Sequence, residues 1–397
     1  MANSPVVGID SPPSVLHFLW TGEIGGAERA VYQLVREQLR QGTRVGVAFG
    51  QATGLYADSL RELGCPIISM GASGGSDIRV LPRAARAIQG YDVHHFHGVE
   101  PLTFLASIVG GSKARIFTQR AGVRDATTRK RFRRRLAKHA LLHQFHAWCA
   151  NTPHAKEALA AVFDIPPVVI DVVYNGLDFD LLRPRGDRSE VRRAFGITKD
   201  AFVVGTTARL KDWKRMHLLL EAGAMLDPTG LTLLIVGDGP DRPRLERVAR
   251  DLGVEDLVIF TGMQDRVVEL VSAMDAFVLP SSHAETFGNS VVEAMALGVP
   301  STVFMDSPGL RGHIDSGTTG FVVGDVTGLR DALDRLRFDP GLAARVGQAG
   351  AKYVRETYGI NRTAEGYAAA YRKALSRWAA QDAGHERSSR PRDLLSP

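Results

Sequence analysis

The sequence predicts an α/β protein with two Rossmann-like domains, each built on a parallel sheet with helices on both faces. Three observations carry this prediction: apolar strand-like runs alternate with amphipathic helical stretches, the alternation occurs twice, and a segment rich in turn residues and charges separates the two halves. With 397 residues, 44% of them hydrophobic, the chain is long enough for two cores. We expect the two sheets to face each other across a cleft, with ligands at the carboxyl ends of the strands.

The first half contains a clear helical pattern among several strand-like runs. Apolar residues recur at helical spacing between Ala27 and Gln41, and Gly42 follows as a stop signal. The strand-like runs cover residues 14–20, 44–49, 92–97, 115–119 and 146–150. Strands that alternate with helices in this way are typical of a parallel sheet.

The second half repeats the pattern after a hinge. The turn signal Asn175-Gly176 and the charged stretch that continues to Lys199 separate the halves, so we predict an N-terminal domain over 1–182 and a C-terminal domain over 183–359. The strand-like runs of the second half cover residues 202–207, 231–236, 257–261 and 276–280. The polar, proline-bearing end, 381–397, is predicted to be a disordered tail.

Composition excludes several classes of protein. No apolar run reaches the roughly 18 residues of a membrane-spanning helix, and the first residues lack the pattern of a secretory signal. Cys65 and Cys149 are too few for a disulfide framework and lack metal-ligand spacing, so we expect a cytoplasmic protein. The net charge of +6 favours an anionic partner without identifying it.

Residues 280–302 carry the most informative chemistry. Glu285 follows a predicted strand, and Phe287 leads into Gly288, Asn289 and Ser290, which open a helix that contains Glu293. A helix start offers backbone N–H groups to a phosphate, and the two carboxylates would accept hydrogen bonds from sugar hydroxyls. The segment therefore predicts a nucleotide-sugar site. The alternative is an ordinary strand–loop–helix with an acidic residue near the helix start.

Two further features fit a diphosphate ligand. Arg209 and Lys214 follow a predicted strand five residues apart, and their cationic groups would stabilise charge on a leaving phosphate. Gly25 and Gly26 let the backbone approach a ligand closely. The alternatives are a solvated pair of surface cations and a tight strand-to-helix turn.

His97 lies at the end of a predicted strand, where it could accept or donate a hydrogen bond to a transferred sugar, with His94 and His95 as its competitors for this role. His95 shares its face of the strand, whereas His94 points away. A strand histidine is also commonly a structural residue, and a metal cluster of these three is not favoured because no cysteine joins them. Asp178-Phe179-Asp180 matches the D-x-D metal pattern, but its place after an Asn-Gly turn favours turn chemistry.

The segment 120–138 is strongly basic. It contains nine cationic residues and one acidic residue, and apolar residues are interspersed at helical spacing. Such a stretch is typical of contact with an anionic membrane, with a solvated helix face as the alternative; nucleic acid is not favoured because the cations are not interleaved with aromatic residues and a known module is lacking. The cations proposed for the membrane or an acceptor are Arg120, Arg131, Arg134 and Arg135.

Six segments in this order resemble the motifs of retaining GT-B glycosyltransferases of family 4. The resemblance runs from about Ser14 to Arg377 and includes the paired glutamates, followed by A-M-A-L-G-V-P. The other five segments are Gly25-Gly26-Ala27-Glu28-Arg29, Asp92-Val93-His94-His95-Phe96-His97, Val173-Tyr174-Asn175-Gly176-Leu177-Asp178, Ala208-Arg209-Leu210 with Lys214, and Val236-Gly237-Asp238-Gly239-Pro240.

The resemblance implies a function and residue roles. It implies a GT-B fold whose last helix, 360–380, returns to an acceptor-binding first domain, with the nucleotide sugar held by the second domain. Glu285, His97, Arg209 and Lys214 would be catalytic, and Gly237 would join Glu293 and the residues around Gly288 in donor binding. The cations would replace a metal, so no cofactor is expected, and the leaving phosphate would take the acceptor's proton.

The sequence therefore predicts a retaining hexosyltransferase that uses a nucleotide-diphosphate sugar and a glycan or lipid-linked acceptor, in cell-envelope polysaccharide or glycolipid biosynthesis. The alternatives are a GT-B sugar-nucleotide epimerase and a non-catalytic membrane-associated scaffold. Two departures from the family pattern bear on the substrates. Gly312 stands where a glutamate is common, and Thr118-Gln119-Arg120 stands where a histidine is frequent.

Overall fold

The computed structural model describes residues 12–120 and 144–389. Their contacts divide them into two compact units. The first contains 12–120, 144–176 and 360–389, and the second contains 177–359. Each unit is a parallel sheet with helices packed on it, so the predicted class, α/β with two Rossmann-like domains, is confirmed.

The first unit is built on a seven-stranded sheet in the order β3-β2-β1-β4-β5-β6-β7. All its strand pairs are parallel. Its strands are β1 Val15–Leu19, β2 Val45–Phe49, β3 Ile67–Ser69, β4 Val93–Phe96, β5 Ala114–Gln119, β6 Ala147–Ala150 and β7 Ile170–Val172. Its helices are α1 Gly26–Arg40, α2 Leu55–Glu62, α3 Leu81–Ala87, α4 Pro101–Gly110, α5 Pro153–Phe163 and, after the second unit, α14 Ile360–Ser389.

The second unit is built on a six-stranded parallel sheet in the order β10-β9-β8-β11-β12-β13. Its strands are β8 Phe202–Thr207, β9 Leu231–Val236, β10 Val258–Gly262, β11 Ala276–Leu279, β12 Ser301–Phe304 and β13 Phe321–Val323. Its helices are α6 Arg188–Ala194, α7 His217–Ala224, α8 Arg242–Asp251, α9 Val267–Ser272, α10 Asn289–Ala296, α11 Pro308–Arg311, α12 Val326–Phe338 and α13 Pro340–Thr357.

The C-terminal helix α14 returns to the first unit, as the resemblance implied. Tyr367 and Tyr371 are fully buried against Val15, Val93 and Ala114 of the first sheet. Burying two aromatic side chains removes a large apolar area from water, which stabilises this end of the chain on the first sheet.

All nine predicted strand-like runs are strands, within a residue or two of their predicted ends. The prediction of a disordered tail from residue 381 is wrong for 381–389, because α14 continues through Ser389; residues 390–397 lie outside the described part. Among the described residues, no helix combines the length and the apolar character needed to cross a bilayer.

Candidate active site

Lys214 and Glu285 form an ion pair in the second unit. Lys214 ends a short 3-10 helix in the loop after β8, and Glu285 lies in the loop after β11. Their side chains are 12% and 13% exposed, and the Lys214 ammonium also lies 4.5 Å from the centre of the Trp213 ring. The two loops are joined by the backbone, since Ser282 N donates to Trp213 O at 3.0 Å. The structure therefore brings together two of the four predicted catalytic residues.

The loop after β11 turns into helix α10 through Gly288. Gly288 has φ of 68°, and a Cβ there would lie 2.2 Å from Leu310 Cδ2, so both conformation and space require glycine. Asn289 and Ser290 are the first residues of α10, and Glu293 lies one turn further with 5% exposure. The helix start and its buried carboxylate are thus where the sequence placed them.

Helix α11 packs directly on this loop. A Cβ at Gly309 would lie 2.3 Å from Glu285 O and 2.4 Å from Thr286 O. By contrast, a Cβ at Gly312 would meet nothing closer than 3.8 Å. The backbone around Glu285 therefore depends on the absence of a side chain at Gly309.

His313 supports the same loop from the other side. Its Nε2 donates to Phe287 O at 2.8 Å, so its Nδ1 accepts from the Tyr358 hydroxyl at 2.7 Å. Phe287 is 1% exposed and lies edge-on to both His313 and Tyr358. Burial lowers the pKa of His313 to about 4, which agrees with a neutral ring. The predicted donor-binding residue Phe287 thus has a buried side chain and anchors the loop.

The loops after β8 and β9 are packed together through glycines. Gly237 has φ of 126°, and a Cβ there would lie 2.0 Å from Ala208 O. Leu210 N donates to Asp238 O at 2.9 Å. Arg209 lies between these contacts with an exposed side chain and forms no ion pair within the described ranges. The structure does not place Arg209 in contact with Lys214.

In the first unit, His97 belongs to a buried polar network. Its Nδ1 accepts from Arg120 Nε at 2.9 Å, and its Nε2 lies 2.9 Å from His17 Nδ1. His17 Nε2 lies 2.8 Å from Gln38 Oε1. His97 is 8% exposed, and both of its ring nitrogens have protein partners.

The hydrogen bonds of this network run in one direction, from Arg120 to Gln38. A guanidinium only donates, so His97 carries its proton on Nε2 and donates to His17, which in turn donates from Nε2 to Gln38. His95, two residues before His97, also has partners for both ring nitrogens. Its Nδ1 lies 2.9 Å from the Tyr371 hydroxyl, and its Nε2 lies 2.7 Å from Thr118 Oγ1.

Burial keeps these histidines neutral. It lowers the pKa of His17 to about 4, and it lowers the pKa of His95 and of His97 well below the usual value, with the Arg120 charge acting in the same direction. Among the described residues, His17, His95 and His97 are the group whose ligand atoms come close enough, within 4.8 Å, to share a metal ion. Their nitrogens already have hydrogen-bond partners and a guanidinium adjoins His97, so the arrangement fits a hydrogen-bond network better than a cation.

The predicted contact of Arg120 with a membrane is wrong, and its predicted role at an acceptor stays a prediction. Arg120 is 9% exposed and donates inward to His97, to Asn175 Oδ1 and, at 3.0 Å, to the Tyr367 hydroxyl. It therefore connects β5, the residue before Gly176, and helix α14. Arg131, Arg134 and Arg135 lie outside the described residues, as does the rest of the predicted basic segment after residue 120.

Two other predicted features lie at turns. Gly25 is the N-cap of helix α1 and Gly26 is its first residue. Both belong to the first unit. A Cβ at Gly25 would lie 2.1 Å from a carboxylate oxygen of Glu28. Asp178 accepts from Asp180 N at 3.1 Å and caps a 3-10 helix, which is the turn chemistry that the sequence favoured.

Four residues in these contacts were not predicted: His17, Gln38, His313 and Gly309. A histidine inside the apolar run 14–20 was an available signal for His17, which the register pairs with His95. The contacts of the other three are made over long sequence separations, and no local pattern marks them.

Known proteins resemble both halves of the chain. The model "Glycosyl transferases group 1" matches residues 187–353, and "Glycosyltransferase Family 4" matches residues 24–181. A D-inositol 3-phosphate glycosyltransferase of Gordonia bronchialis is 28% identical over 91% of this chain and 87% of its own length. One of Frankia alni is 35% identical over 57% of this chain; the match spans 58% of that relative's length.

Solved structures agree in fold. Anabaena HepE in complex with UDP and glucose has a TM-score of 0.79 at 21% identity, covering 90% of this chain and 98% of that one. Sucrose-phosphate synthase from Thermosynechococcus elongatus has a TM-score of 0.73 at 21% identity, covering 92% and 99%. The fold is thus that of the GT-B glycosyltransferases. More particularly, the chain belongs to glycosyltransferase family 4, the glycosyl transferases group 1.

Proposed function

We propose that this chain transfers a hexose-type sugar from a nucleotide-diphosphate sugar to a hydroxyl of a glycan or lipid-linked acceptor, with retention of configuration and without a metal ion. The single observation that carries the proposal is the ion pair of Lys214 and Glu285 beside the start of helix α10. A cation and a carboxylate held together there suit a ligand that has both phosphates and hydroxyls.

Each charged group has a separate task in this mechanism. Lys214 stabilises the negative charge that develops on the leaving phosphate, with Arg209 contributing from the neighbouring loop. Glu285 and Glu293 accept hydrogen bonds from hydroxyls of the donor. The leaving phosphate oxygen takes the proton of the acceptor, so the protein positions the two substrates and stabilises charge.

The comparisons support this class of reaction. The relatives include, by name, an N-acetyl-alpha-D-glucosaminyl L-malate synthase of Bacillus anthracis and a lipopolysaccharide core biosynthesis glycosyltransferase of Rhizobium meliloti. The Anabaena structure of the same fold holds UDP and glucose. We therefore favour a role in cell-envelope polysaccharide or glycolipid biosynthesis, at the cytoplasmic side of the membrane. The basic segment 121–138 is the proposed membrane contact.

A donor panel tests the proposal. The full chain is incubated with UDP-, GDP- and ADP-glucose, with and without acceptor glycans and with and without EDTA, and followed by thermal shift and by the anomeric coupling constants of the product. We expect one donor to raise the melting temperature and to give a retained, EDTA-insensitive product only when acceptor is present. Conversion without acceptor would identify an epimerase, and no donor binding would identify a non-catalytic scaffold; either result overturns the proposal.

A further inference from the structure

The loop after β3, residues 70–77, lies along the carboxyl edge of the first sheet. Met70 N donates to Phe49 O at the end of β2, at 2.9 Å, and Gln51 Nε2 donates to Ala72 O at 3.0 Å. Further on, Leu102 N of helix α4 donates to Gly75 O at 2.9 Å. Since β1 lies between β2 and β4 in the sheet, the loop reaches the edge at which this class of sheet binds ligands.

A buried carboxylate fixes an exposed arginine at the end of this loop. Arg79 Nε donates to Asp77 Oδ1 at 2.7 Å, and Arg79 Nη2 donates to Asp77 Oδ2 at 3.0 Å. Ser73 also donates to Oδ2, from its backbone N at 3.1 Å and from its hydroxyl at 2.8 Å. The Asp77 side chain is 6% exposed, whereas that of Arg79 is 79% exposed.

This arrangement is built more firmly than an ordinary surface ion pair. Four donors hold the Asp77 carboxylate, and hydrogen bonds from Arg79 and from Ser73 keep its pKa well below the usual range. The two-point contact fixes the plane of the guanidinium, so little conformational freedom remains for a ligand to remove.

The fixed guanidinium keeps donors for a ligand. Its Nη1 donates to no acceptor within 12–120 and 144–389, and the Arg79 side chain borders a shallow, open cavity of about 360 Å³ at the surface. The cavity is lined by Ser73, Gly74, Ser76, Asp77, Ile78 and Arg79. Arg83 adds a second positive charge at the start of the loop, where its Nη2 donates to Met70 O at 2.8 Å. Glu100 lies against Gly75 but does not line the cavity.

We propose that Arg79, with the hydroxyl of Ser76, binds an anionic group of the acceptor, a phosphate or a carboxylate. Two N–H groups on Nη1 and the Ser76 hydroxyl can donate to the oxygen atoms of such a group, whereas an uncharged sugar ring would not require a guanidinium. The inference rests on the proposed glycosyl transfer and deepens it, because it assigns an acceptor class to the first unit.

Paired probes that differ by one anionic group test the proposal. Calorimetry on the full chain compares D-inositol 3-phosphate with myo-inositol, and flotation compares vesicles that contain phosphatidylinositol phosphate with vesicles that contain phosphatidylinositol. We expect at least tenfold tighter binding of the anionic member of one pair. The free pair identifies a small acceptor, and the vesicle pair identifies a lipid-linked one.

Variants assign the binding to the arginine. Arg79→Gln should abolish the preference, and Arg79→Lys should lose most of it, because a lysine keeps the charge but not the two-point contact with Asp77. Arg86→Gln is the matched control: Arg86 is exposed on the adjacent helix α3 and forms no ion pair in the described ranges. Equal loss in both glutamine variants would show a diffuse charge effect and overturn the proposal.

Binding of the three nucleotide sugars of the donor panel, measured on the same samples, separates the two proposals. If the wild type binds the donor but shows no preference for either anionic probe, or if Arg79→Gln keeps the preference, the assignment of Arg79 is wrong and the proposed function stands. If the wild type binds no donor, the proposed function fails, whatever the anion results are.

Discussion

Arg120 Nε donates to His97 Nδ1 at 2.9 Å, and this contact fixes which nitrogen of the His97 ring carries the proton. Because His97 then donates from Nε2 to His17, the histidine expected to contact the sugar has both nitrogens engaged inside the first unit. Its role in catalysis stays a prediction, and a sugar would reach either nitrogen only by displacing Arg120 or His17.

We expect a specific tautomer in solution. At pH 7, His97 and His17 should both be neutral with the proton on Nε2, as measured from imidazole nitrogen shifts in long-range nitrogen–proton spectra. In Arg120→Gln the donor that dictates this state is no longer charged, so the His97 signal should shift while the fold persists. A wild-type His97 protonated on Nδ1 would contradict the direction of the network.

Stability should fall as the pH is lowered from 7 to 5. Burial lowers the pKa of His17 and His313 to about 4, whereas the unfolded chain takes up these protons near pH 6.5. The unfolded state therefore binds more protons in this window, and each of these histidines costs about 2 kcal/mol of unfolding free energy by pH 5. Urea denaturation at pH 7, 6 and 5 measures the loss.

The variant His313→Gln provides the comparison for this pH dependence. Glutamine can still donate to Phe287 O, but it has no ring nitrogen that accepts from Tyr358 or takes up a proton. We expect it to be less stable at pH 7 and to have a shallower fall toward pH 5, since one titrating group is gone. An unchanged slope would mean that His313 is not among the histidines responsible.

Variants of the ion pair of Lys214 and Glu285 should affect the free energy of unfolding and donor binding differently. Lys214→Met leaves a largely buried carboxylate without its cation, which should lower the unfolding free energy by about 1–3 kcal/mol and abolish donor binding. The double variant Lys214→Met/Glu285→Gln removes both charges, so stability should recover while donor binding does not. Denaturation and calorimetry with UDP-glucose measure the two effects, and full donor binding by the double variant would remove this pair from the site.

Two glycines in one stretch should behave differently. Gly309→Ala places a methyl group 2.3 Å from Glu285 O, so the loop must shift, and we expect a loss of about 1–3 kcal/mol together with weaker donor binding. Gly312→Ala is the control, because its nearest neighbour would be 3.8 Å away. Melting temperatures and calorimetry of the two variants test this; equal effects would mean that the close packing at Gly309 is not responsible.

The strands that the sequence did not predict are short. β3, β7 and β13 have three residues each, and each lies at an edge of its sheet. An edge strand is covered on fewer sides than a central one, so it needs fewer apolar residues and leaves a weaker pattern. β12 was not predicted because it shares one apolar segment with the helix before it, so the pattern showed no separate strand.

The candidate site likewise contains residues that the local sequence predicts and residues that it does not. Glu285, Gly288 and Glu293 follow one another along a strand, a loop and a helix start, so local sequence was sufficient to find them. His313, by contrast, contacts Phe287 and Tyr358 over separations of 26 and 45 residues. Such partners are set by the packing of whole elements, which a local pattern does not contain.

The amino-acid sequence alone determined the class of fold and the succession of loops that carry the predicted site residues, because apolar periodicity and turn residues act over a few neighbouring positions. Tertiary structure alone decided that Arg120 turns inward to His97 and Tyr367, and that the loop before Arg79 lies along the edge of the first sheet. The exposure of a charged side chain depends on which distant donors and acceptors surround it, and those neighbours are fixed only when the strands and helices pack.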